Sequence, residues 1–412
     1  MKKKRFAAIL TIICLAVSAV GFTGCGSRTS AEEESGMDAV CYAIAPTANS
    51  QGLNFNSPLV QDTIFDTILD YGYVSVVLVD GKPELIAADS YDIDDQYKKA
   101  SKNILKTDAR AKATALINYM EDQIANNAQV DYLEGLRMAV RSLSSLKGYD
   151  SKTIVVIGTG LSTQGTLNFK NNLLSVEPED VLDQLEEKDE IPDFTGITVV
   201  WQQMGDVASP QQDLSQTQRK RLQEIWGGVV ERGGGTFEYD DIMANPVNTQ
   251  ASYPTVDTVD LPTETPVDFD AAMFDTEDES PLEEPVMLTE EQVSFVPDKS
   301  IYLNEKKAME TIQPIADYLA AHKQITVLLA GTTAGDQDSD YTMTLSQKRA
   351  DAVKNSLIQL GVDESRIVAV GLGSNDPWHV YGAGFEGSIA SGNRKVVLLD
   401  ASSDTAQKIL SE

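Results

Sequence analysis

The chain has 412 residues, of which 42% are apolar, and this is enough for two modest globular domains with connecting segments. Its formal net charge is −30, so it repels DNA, RNA and anionic lipid headgroups, and we expect no nucleic-acid partner.

The first 24 residues have the order of a bacterial export signal. Basic residues from Lys2 to Arg5 precede an uncharged, mostly apolar run from Phe6 to Val20, which is short for a membrane-spanning helix. The next residues include Phe22-Thr23-Gly24-Cys25, which resembles the bacterial lipobox, in which the cysteine is lipidated and becomes the mature N-terminus. The resemblance implies that Cys25 carries acyl chains, such as palmitate, that anchor the protein to a membrane. An ordinary cleaved signal next to an incidental cysteine is the alternative.

The mature chain would be strongly acidic and without disulfides. Loss of the four basic residues of the signal would bring its charge to −34. Cys14 would leave with the signal and Cys25 would carry lipid, so Cys41 would be the only thiol left. Residues 25–38 are predicted to form the anchor and a short solvated spacer. We therefore expect an extracytoplasmic, membrane-anchored lipoprotein of the cell envelope.

Residues 39–244 alternate strand and helix signals. The strand signals are at 39–45, 74–79, 153–157, 197–201 and 236–239, and the helix signals are at 60–68, 95–124, 133–143 and 222–229. Strands that alternate with helices of this length imply crossover connections. The region is therefore predicted to be an α/β domain with a largely parallel, doubly wound sheet.

This order of elements resembles the von Willebrand factor A (vWA) domain. That family binds a divalent metal through Asp-x-Ser-x-Ser after the first strand, a later Thr, and the Asp of a strand-ending Thr-Asp-Gly. The matching positions read Ala45-Pro46-Thr47-Ala48-Asn49 and Gly158-Thr159-Gly160, with Asp131 near the middle ligand. Because both anchoring aspartates are missing and Mg²⁺ prefers carboxylate oxygen, we expect a metal-free scaffold or protein-binding surface. Another flavodoxin-like sandwich is the alternative fold.

Residues 245–291 are predicted to form a disordered linker. They are rich in Asp and Glu, contain no Lys or Arg, and carry prolines at positions 246, 254, 262, 266, 281 and 285. Frequent proline and high net charge are typical of a self-repelling tether, with a reach of about 40 Å as a flexible coil.

Residues 292–402 have the pattern of a βαβαββ sandwich, followed by a tail over 403–412. Strands are predicted at 293–295, 325–330, 367–370 and 395–399. One helix is predicted at 304–321, and a second is marked by Leu345, Val353 and Leu357 and closed by Gly361.

Four blocks of this region resemble the OmpA-like C-terminal domain family. They are Gly331-Thr332-Thr333, the run from Thr344 to Val353, Val370-Gly371-Leu372-Gly373, and Asn393-Arg394-Lys395-Val396. The resemblance implies binding of peptidoglycan stem peptides, at the diaminopimelate residue. It also implies that Arg349 grips a carboxylate of the ligand, a task that suits the planar fork of a guanidinium.

The resemblance implies a further set of site residues, with two departures. The family's aspartate falls on Ala334 and its asparagine falls on Thr342. The candidate peptidoglycan-binding residues are Arg349, Thr333, Asp336, Thr342 and Arg394. Asp336, Asp338 or Asp340 could replace the missing carboxylate. Alternatively, Arg349 pairs with those acids as a structural element. For Arg394 we expect a role in ordering the final strand and the neighbouring loop instead of a contact with ligand.

The glycine-rich segment 371–392 contains Trp378, His379, Tyr381 and Phe385. These aromatic side chains either stack on sugars or, as we expect, close the loop over its own core.

The sequence contains no recognisable catalytic constellation, so we expect a binding protein and not an enzyme. The two histidines, His322 and His379, belong to no Ser-His-Asp, Cys-His or HExxH pattern, and a two-carboxylate glycosidase is the enzymatic alternative. No cofactor is expected. The expected function is to link membrane and cell wall while presenting a surface to a protein partner. In the alternative, the OmpA-like domain has lost peptidoglycan affinity and binds protein in envelope adhesion or assembly.

Overall fold

A computed structural model describes residues 37–91, 100–240, 253–254, 256–261, 266–275, 281–282 and 284–411. Cys25 and the predicted signal lie outside these residues, so the lipidation remains a prediction. The described residues all fall in one compact unit. Over the same residues, no helix combines the length and apolar character that crossing a membrane requires.

The N-terminal region is built on one six-stranded sheet. Its strands are β1 (Asp38–Ile44), β2 (Tyr73–Leu78), β3 (Glu84–Ser90), β4 (Ser151–Ile157), β5 (Thr198–Gln202) and β6 (Thr236–Asp240). The order is β3-β2-β1-β4-β5-β6, and every neighbouring pair is parallel except β2 and β3. The central strands are buried on both faces over most of their length, β1 from Ala39 onward and β4 from Ile154 onward, as expected for a parallel sheet covered by helices. Edge strand β3, which the sequence did not predict, is half exposed.

Helices cover both faces of this sheet. They are α1 (Pro58–Leu69), α2 (Lys102–Glu121), α3 (Tyr132–Ser144), α4 (Pro178–Glu187) and α5 (Gln216–Arg232). Helices α1 and α2 share one apolar core with the sheet, whereas α3, α4 and α5 share the core on the other face. Within the described part of the predicted 95–124, which excludes residues 95–99, α2 covers Lys102–Glu121, and α4 was not predicted.

The C-terminal region has a second, mixed sheet. Its strands are β7 (Val267–Asp268), β8 (Val286–Leu288), β9 (Val327–Thr332), β10 (Ile367–Gly373) and β11 (Val396–Asp400), in the order β10-β9-β11-β8-β7. Its helices are α6 (Glu305–Ala321), α7 (Asp340–Gln359), α8 (Ser388–Gly392) and α9 (Asp404–Ser411). Helices α6 and α7 pack on one face, whereas Trp378 and Ala406 of α9 are buried on the other. Part of the predicted tail thus belongs to the fold.

Two sequence predictions about this region were wrong. The strand predicted at 293–295 does not form, because Phe295 makes only an isolated bridge with Tyr302. The strand that pairs with β11 is instead β8, which comes earlier in the chain. The linker prediction fails for the described parts of 245–291. Strands β7 and β8 lie within it, and Phe274 is buried in the C-terminal core.

The same segment connects the two regions by specific contacts. Asp257 forms an ion pair with Lys170 at 3.0 Å, and the backbone of Val259 exchanges two 2.8 Å hydrogen bonds with the side chain of Gln211. The buried Arg221 donates from Nη2 to the oxygen of Pro266 at 3.1 Å. These described residues are packed against folded structure instead of forming a free tether.

Candidate ligand-binding site

Helix α7 packs closely on β9 and β10 because those strands carry glycine at the contact. A Cβ atom on Gly331 would lie 2.2 Å from the backbone oxygen of Ser346, and one on Gly371 would lie 2.3 Å from the backbone nitrogen of Gln347. The Oε1 atom of Gln347 accepts the N–H of Gly371 at 2.8 Å. This contact fixes the turn of α7 that leads to Arg349.

A capping box sets the N-terminus of α7. Ser339 Oγ accepts the N–H of Thr342 at 3.2 Å, and Thr342 Oγ1 accepts the N–H of Ser339 at 2.8 Å. The hydroxyl of Thr342, a predicted site residue, therefore has a structural partner in the helix cap.

Arg349 is nearly buried, with 6% of its surface exposed, and its guanidinium lies over the ring of Phe295 at 5.2 Å from the ring centre. Its Nε donates to the oxygen of Lys299 at 3.2 Å. Within the described residues, Nη1 and Nη2 make no hydrogen bond. Burial lowers the pKa of the guanidinium and the charge of Glu290 opposes that shift, but an arginine stays protonated near neutral pH. The two terminal nitrogens of the planar guanidinium group thus remain available to donate hydrogen bonds to a ligand.

A second arginine lies beside a carboxylate from the preceding segment. Glu290 accepts hydrogen bonds from Arg394 Nε at 2.8 Å, on Oε1, and from Ser391 Oγ at 2.9 Å, on Oε2. Burial alone raises the pKa of the Glu290 carboxyl, but these hydrogen bonds and the charges of Arg394 and Arg349 bring it below its ordinary value. We refer to Arg349, Arg394, Glu290 and Ser391 as the arginine site.

The acids of the loop before α7 have other partners. Asp338 Oδ1 accepts both the N–H of Ser374, at 2.6 Å, and its hydroxyl, at 3.0 Å. Asp336 Oδ2 accepts the N–H of Gly382 at 3.0 Å, and its Oδ1 lies 3.4 Å from Nε2 of His379. These acids therefore brace the neighbouring loops.

Arg349 forms no ion pair with Asp336 or Asp340 among the described residues. The structural alternative drawn from the sequence therefore named the wrong partners. The actual structural contacts of Arg349 are the ring of Phe295 and the backbone of Lys299. Arg394 holds the start of the final strand through Glu290 and the neighbouring loop through the oxygen of Phe385, at 2.8 and 3.1 Å.

A group of buried polar side chains adjoins Asp336 through His379. His379 is fully buried, and its Nδ1 lies 3.7 Å from Oδ2 of Asp376. Oδ1 of Asp376 lies 3.6 Å from Nζ of the buried Lys395. The hydroxyl of Thr333, another predicted site residue, is buried without a hydrogen-bond partner in the described part of the chain.

The glycine-rich segment buries two of its four aromatic side chains. Trp378 and His379 are buried, and the side chain of Asn393 both donates to and accepts from the backbone of Val380 at 2.9 Å. Phe385, in contrast, is 73% exposed. Tyr381 is also exposed, so the expected closure of the loop holds for Trp378 and His379 but not for Tyr381 and Phe385.

The charges of Arg349 and Arg394 both act on Glu290. Thr333 and Asp336 lie in the loop after β9, whereas Thr342 lies in the first turn of α7. Sequence reasoning missed Glu290, Ser391 and Phe295. Glu290 was assigned to the disordered linker, two residues before the predicted start of the OmpA-like domain at residue 292, and no pattern in the sequence pointed to it.

Aromatic side chains fill the edge of the N-terminal sheet at which the vWA resemblance would place a metal ion. Trp201 Nε1 donates to the oxygen of Gly158 and Trp226 Nε1 donates to that of Gly160, each at 2.9 Å. The ring centres of the two tryptophans are 4.9 Å apart. No cluster of three His, Cys, Asp or Glu suited to a metal ion occurs in the described part of the chain.

The sequence offered three residues with side-chain oxygen at that site, Thr47, Asn49 and Asp131. Each has a hydrogen-bond partner close to it in the sequence. Thr47 Oγ1 donates to Oδ1 of Asn49 at 2.9 Å. Asp131 caps α3 by accepting the N–H of Glu134 at 3.0 Å, and burial raises the pKa of its carboxyl. These contacts account for the positions of all three side chains.

Comparison with known proteins identifies the C-terminal region. Residues 294–384 match the OmpA family. Outer membrane porin F from Pseudomonas fluorescens is 37% identical over 92 residues, which are 22% of this chain and 28% of that protein. The peptidoglycan-associated lipoprotein from Buchnera aphidicola is 31% identical over 104 residues, which are 25% of this chain and 58% of that protein. The region is therefore an OmpA-like domain with homologues named peptidoglycan-associated lipoprotein.

A solved structure gives a further match. The crystal structure of the peptidoglycan-associated lipoprotein from Burkholderia pseudomallei is 32% identical, covers 26% of this chain and 86% of that chain, and has a TM-score of 0.23. This chain spans 28% and 58% of the two curated relatives, and the family match leaves the N-terminal region uncovered.

Proposed function

We propose that this protein is a non-enzymatic cell-envelope lipoprotein that binds peptidoglycan non-covalently through its OmpA-like domain. Lipid on Cys25 holds it to a membrane, so that one chain links membrane and cell wall. Support comes from the lipobox-like Phe22-Thr23-Gly24-Cys25, from the OmpA match, and from homologues named peptidoglycan-associated lipoprotein. Envelope anchoring of this kind needs no cofactor.

The proposal rests mainly on Arg349, whose guanidinium is held in place but keeps its two terminal nitrogens free of hydrogen bonds within the described residues. Its guanidinium lies over the ring of Phe295 and its Nε donates to the oxygen of Lys299, whereas Nη1 and Nη2 have no hydrogen-bond partner among the described residues. A fork held in this way is suited to a carboxylate, which it meets with two parallel hydrogen bonds. Stem peptides of peptidoglycan present free carboxylates.

In the same proposal the N-terminal region is a vWA-like platform that presents a surface to a protein partner. The support is its sheet order, with a single antiparallel edge strand, and the aromatic packing at the edge where the vWA family binds metal. A domain of this kind without metal acts through its surface.

The proposal is tested by pull-down of the full chain on purified sacculi. We expect Arg349→Ala and Arg349→Lys to lose binding, because neither offers a planar fork, with a reduction of roughly 10- to 150-fold for a lost charge-assisted contact of about 1.5–3 kcal/mol. Lys348→Ala is the matched control, since Lys348 is the neighbouring exposed cation.

Stability has to be measured in parallel. Arg349→Ala also loses the contact with Phe295 and the hydrogen bond to Lys299, which together stabilise the fold by about 1–2 kcal/mol. Arg349→Lys keeps a cation near Phe295 and isolates the effect on binding. Equal retention of wild type and Arg349→Lys on sacculi would contradict the role of Arg349.

A second candidate function is protein binding by the OmpA-like domain. It is favoured by one observation: Arg394 already has a carboxylate partner, Glu290, within the chain. If wild-type protein shows no retention on sacculi while its thermal melt is normal, this candidate replaces the first.

A further inference from the structure

A short segment of the chain lies across the carboxyl edge of the N-terminal sheet. Residues 256–261 form neither a helix nor a strand. They contact the connection after β4 through Lys170, the loop after β5 through Gln211, and the residues just before α3 through Ala128. All three lie at the edge where the parallel strands end, and open α/β sheets commonly bind their ligands at this edge.

The segment is held through its backbone, one acidic group and two apolar side chains. Val256 and Val259 are buried in the same apolar core as α3, α4 and α5. Gln211 Oε1 accepts the N–H of Val259, and Gln211 Nε2 donates to the oxygen of the same residue, each at 2.8 Å. Asp257 forms an ion pair with Lys170 at 3.0 Å, and its N–H donates to the oxygen of Ala128 at 2.9 Å.

These contacts are of a kind that a separate peptide can reproduce. An amide side chain that pairs with both the N–H and the oxygen of one residue binds any extended backbone. Both members of the ion pair are partly exposed, 41% for Lys170 and 37% for Asp257, so this contact contributes little to holding the segment. An extended segment with three residues per turn, the form in which grooves bind proline-rich peptides, places every third side chain on one side. Aromatic, apolar and proline residues have this spacing here, at Tyr253, Val256, Val259 and Pro262.

The connection to the C-terminal region does not depend on this segment. Arg221 Nη2 donates to the oxygen of Pro266 at 3.1 Å, and β7 pairs with β8 directly afterwards. The chain therefore stays attached at Pro266 when residues 256–261 leave the edge of the sheet.

We propose that residues 256–261 occupy a peptide-binding groove of the N-terminal region, and that the protein partner presents an extended segment of the same chemistry that displaces them. We call the surface around Ala128, Lys170 and Gln211 the edge groove. The partner's segment carries two apolar side chains three positions apart, with an acidic side chain directly after the first. This inference rests on the proposed function, which gives the N-terminal region a protein partner, and it names the surface and the chemistry of that partner.

The test measures binding of a fluorescent peptide that copies residues 253–262 to the full chain, by fluorescence anisotropy. The double variant Val256→Ser/Val259→Ser weakens the chain's own segment and leaves the edge groove unchanged. We expect it to bind the peptide about tenfold or more tightly than wild type, whose groove is open in only a small fraction of molecules. Asp260→Asn is the matched control, because Asp260 is exposed in the same segment, and it should bind like wild type. Adding Gln211→Ala to the double variant should weaken binding about tenfold, and a peptide with serine at both valine positions should not bind.

Several outcomes overturn the inference. A double variant that melts normally and stays on sacculi but binds no peptide shows that residues 256–261 are only a structural tie, and wall binding stands. Val259→Ser alone is the milder variant, and equal affinity of this variant and wild type for the peptide has the same meaning. A concentration-dependent dimer of wild type in light scattering, absent in the double variant, shows that a second copy supplies the segment in place of a separate partner. Failure of wild type to bind sacculi refutes wall binding, whatever the result with the peptide.

Discussion

At the scale of single residues, the absence of a side chain decides how α7 meets the sheet. A Cβ on Gly331 would lie 2.2 Å from the backbone oxygen of Ser346, a contact that only a backbone shift relieves. We expect Gly331→Ala to lower the free energy of unfolding by about 1–3 kcal/mol, as for an overpacked core. Chemical denaturation measures this. Gly392→Ala is the control, because its nearest neighbour, Val176 Cγ1, is 3.7 Å away, and an equal loss there would contradict the steric explanation.

The carboxylate of Glu290 should make stability depend on pH. The hydrogen bonds from Arg394 and Ser391 outweigh the effect of burial and hold its pKa in the folded state below the ordinary value of about 4.5. The stability that ionised Glu290 contributes is therefore fully present above about pH 4.5 and is lost as the pH falls through the lowered pKa. The difference in melting temperature between wild type and Glu290→Gln should be largest near pH 7 and shrink below pH 4.5. A difference that stays constant down to pH 3 would show that this ion pair contributes nothing.

At the scale of elements, the helix that carries Arg349 depends on its cap. Loss of an N-cap hydroxyl typically costs about 0.5–2 kcal/mol, so Ser339→Ala should destabilise the protein by that amount. Thr342→Ala removes the reciprocal bond and should also lower stability, while retention on sacculi stays the same. Denaturation and pull-down of the two variants measure this. Loss of retention with unchanged stability in Thr342→Ala would instead make Thr342 a ligand residue.

At the scale of the whole molecule, the two folded regions share a core. Val380 and Ile389, from the glycine-rich segment of the C-terminal region, are buried with the apolar residues of α3, α4 and α5. Asn172 adds a hydrogen bond to the oxygen of His379 at 2.8 Å. Because Arg394 Nη1 donates to the oxygen of Phe385 at 3.1 Å, the same segment joins the candidate site to the N-terminal region.

This shared core predicts cooperative unfolding. Wild type should show one calorimetric transition, whereas Val380→Asp buries an unpaired charge in the shared core and should separate the unfolding into two transitions. Phe385→Asp is the control in the same segment, since Phe385 is exposed. Two transitions already in wild type would show that the contact contributes little.

The membrane anchor belongs to the same scale. If Cys25 is lipidated, Cys25→Ala should release the protein from the membrane fraction or leave it as unprocessed precursor. Metabolic labelling with a fatty-acid analogue measures this directly. Equal labelling of wild type and variant would place the lipid elsewhere.

Local patterns in the sequence determined most of the elements. The spacing of Val60, Ile64 and Ile68 predicts α1, and the apolar runs predict the central strands, because both signals depend only on neighbours along the chain. Gly361 has a positive φ of 99° just after α7, so its place at the end of that helix was also readable. The four spaced blocks were enough to identify the OmpA-like domain.

Only the tertiary structure decided which short apolar run became a strand and which charged side chains formed ion pairs. Val286–Leu288 and Val293–Phe295 read alike in sequence, and β8 formed from the first because it pairs with β11. Glu290 and Arg394 are 104 residues apart, and with 63 acidic residues in the chain no local signal selects that pair. An ion pair depends on the path of the whole chain, whereas helix and strand periodicity depends on a few consecutive residues.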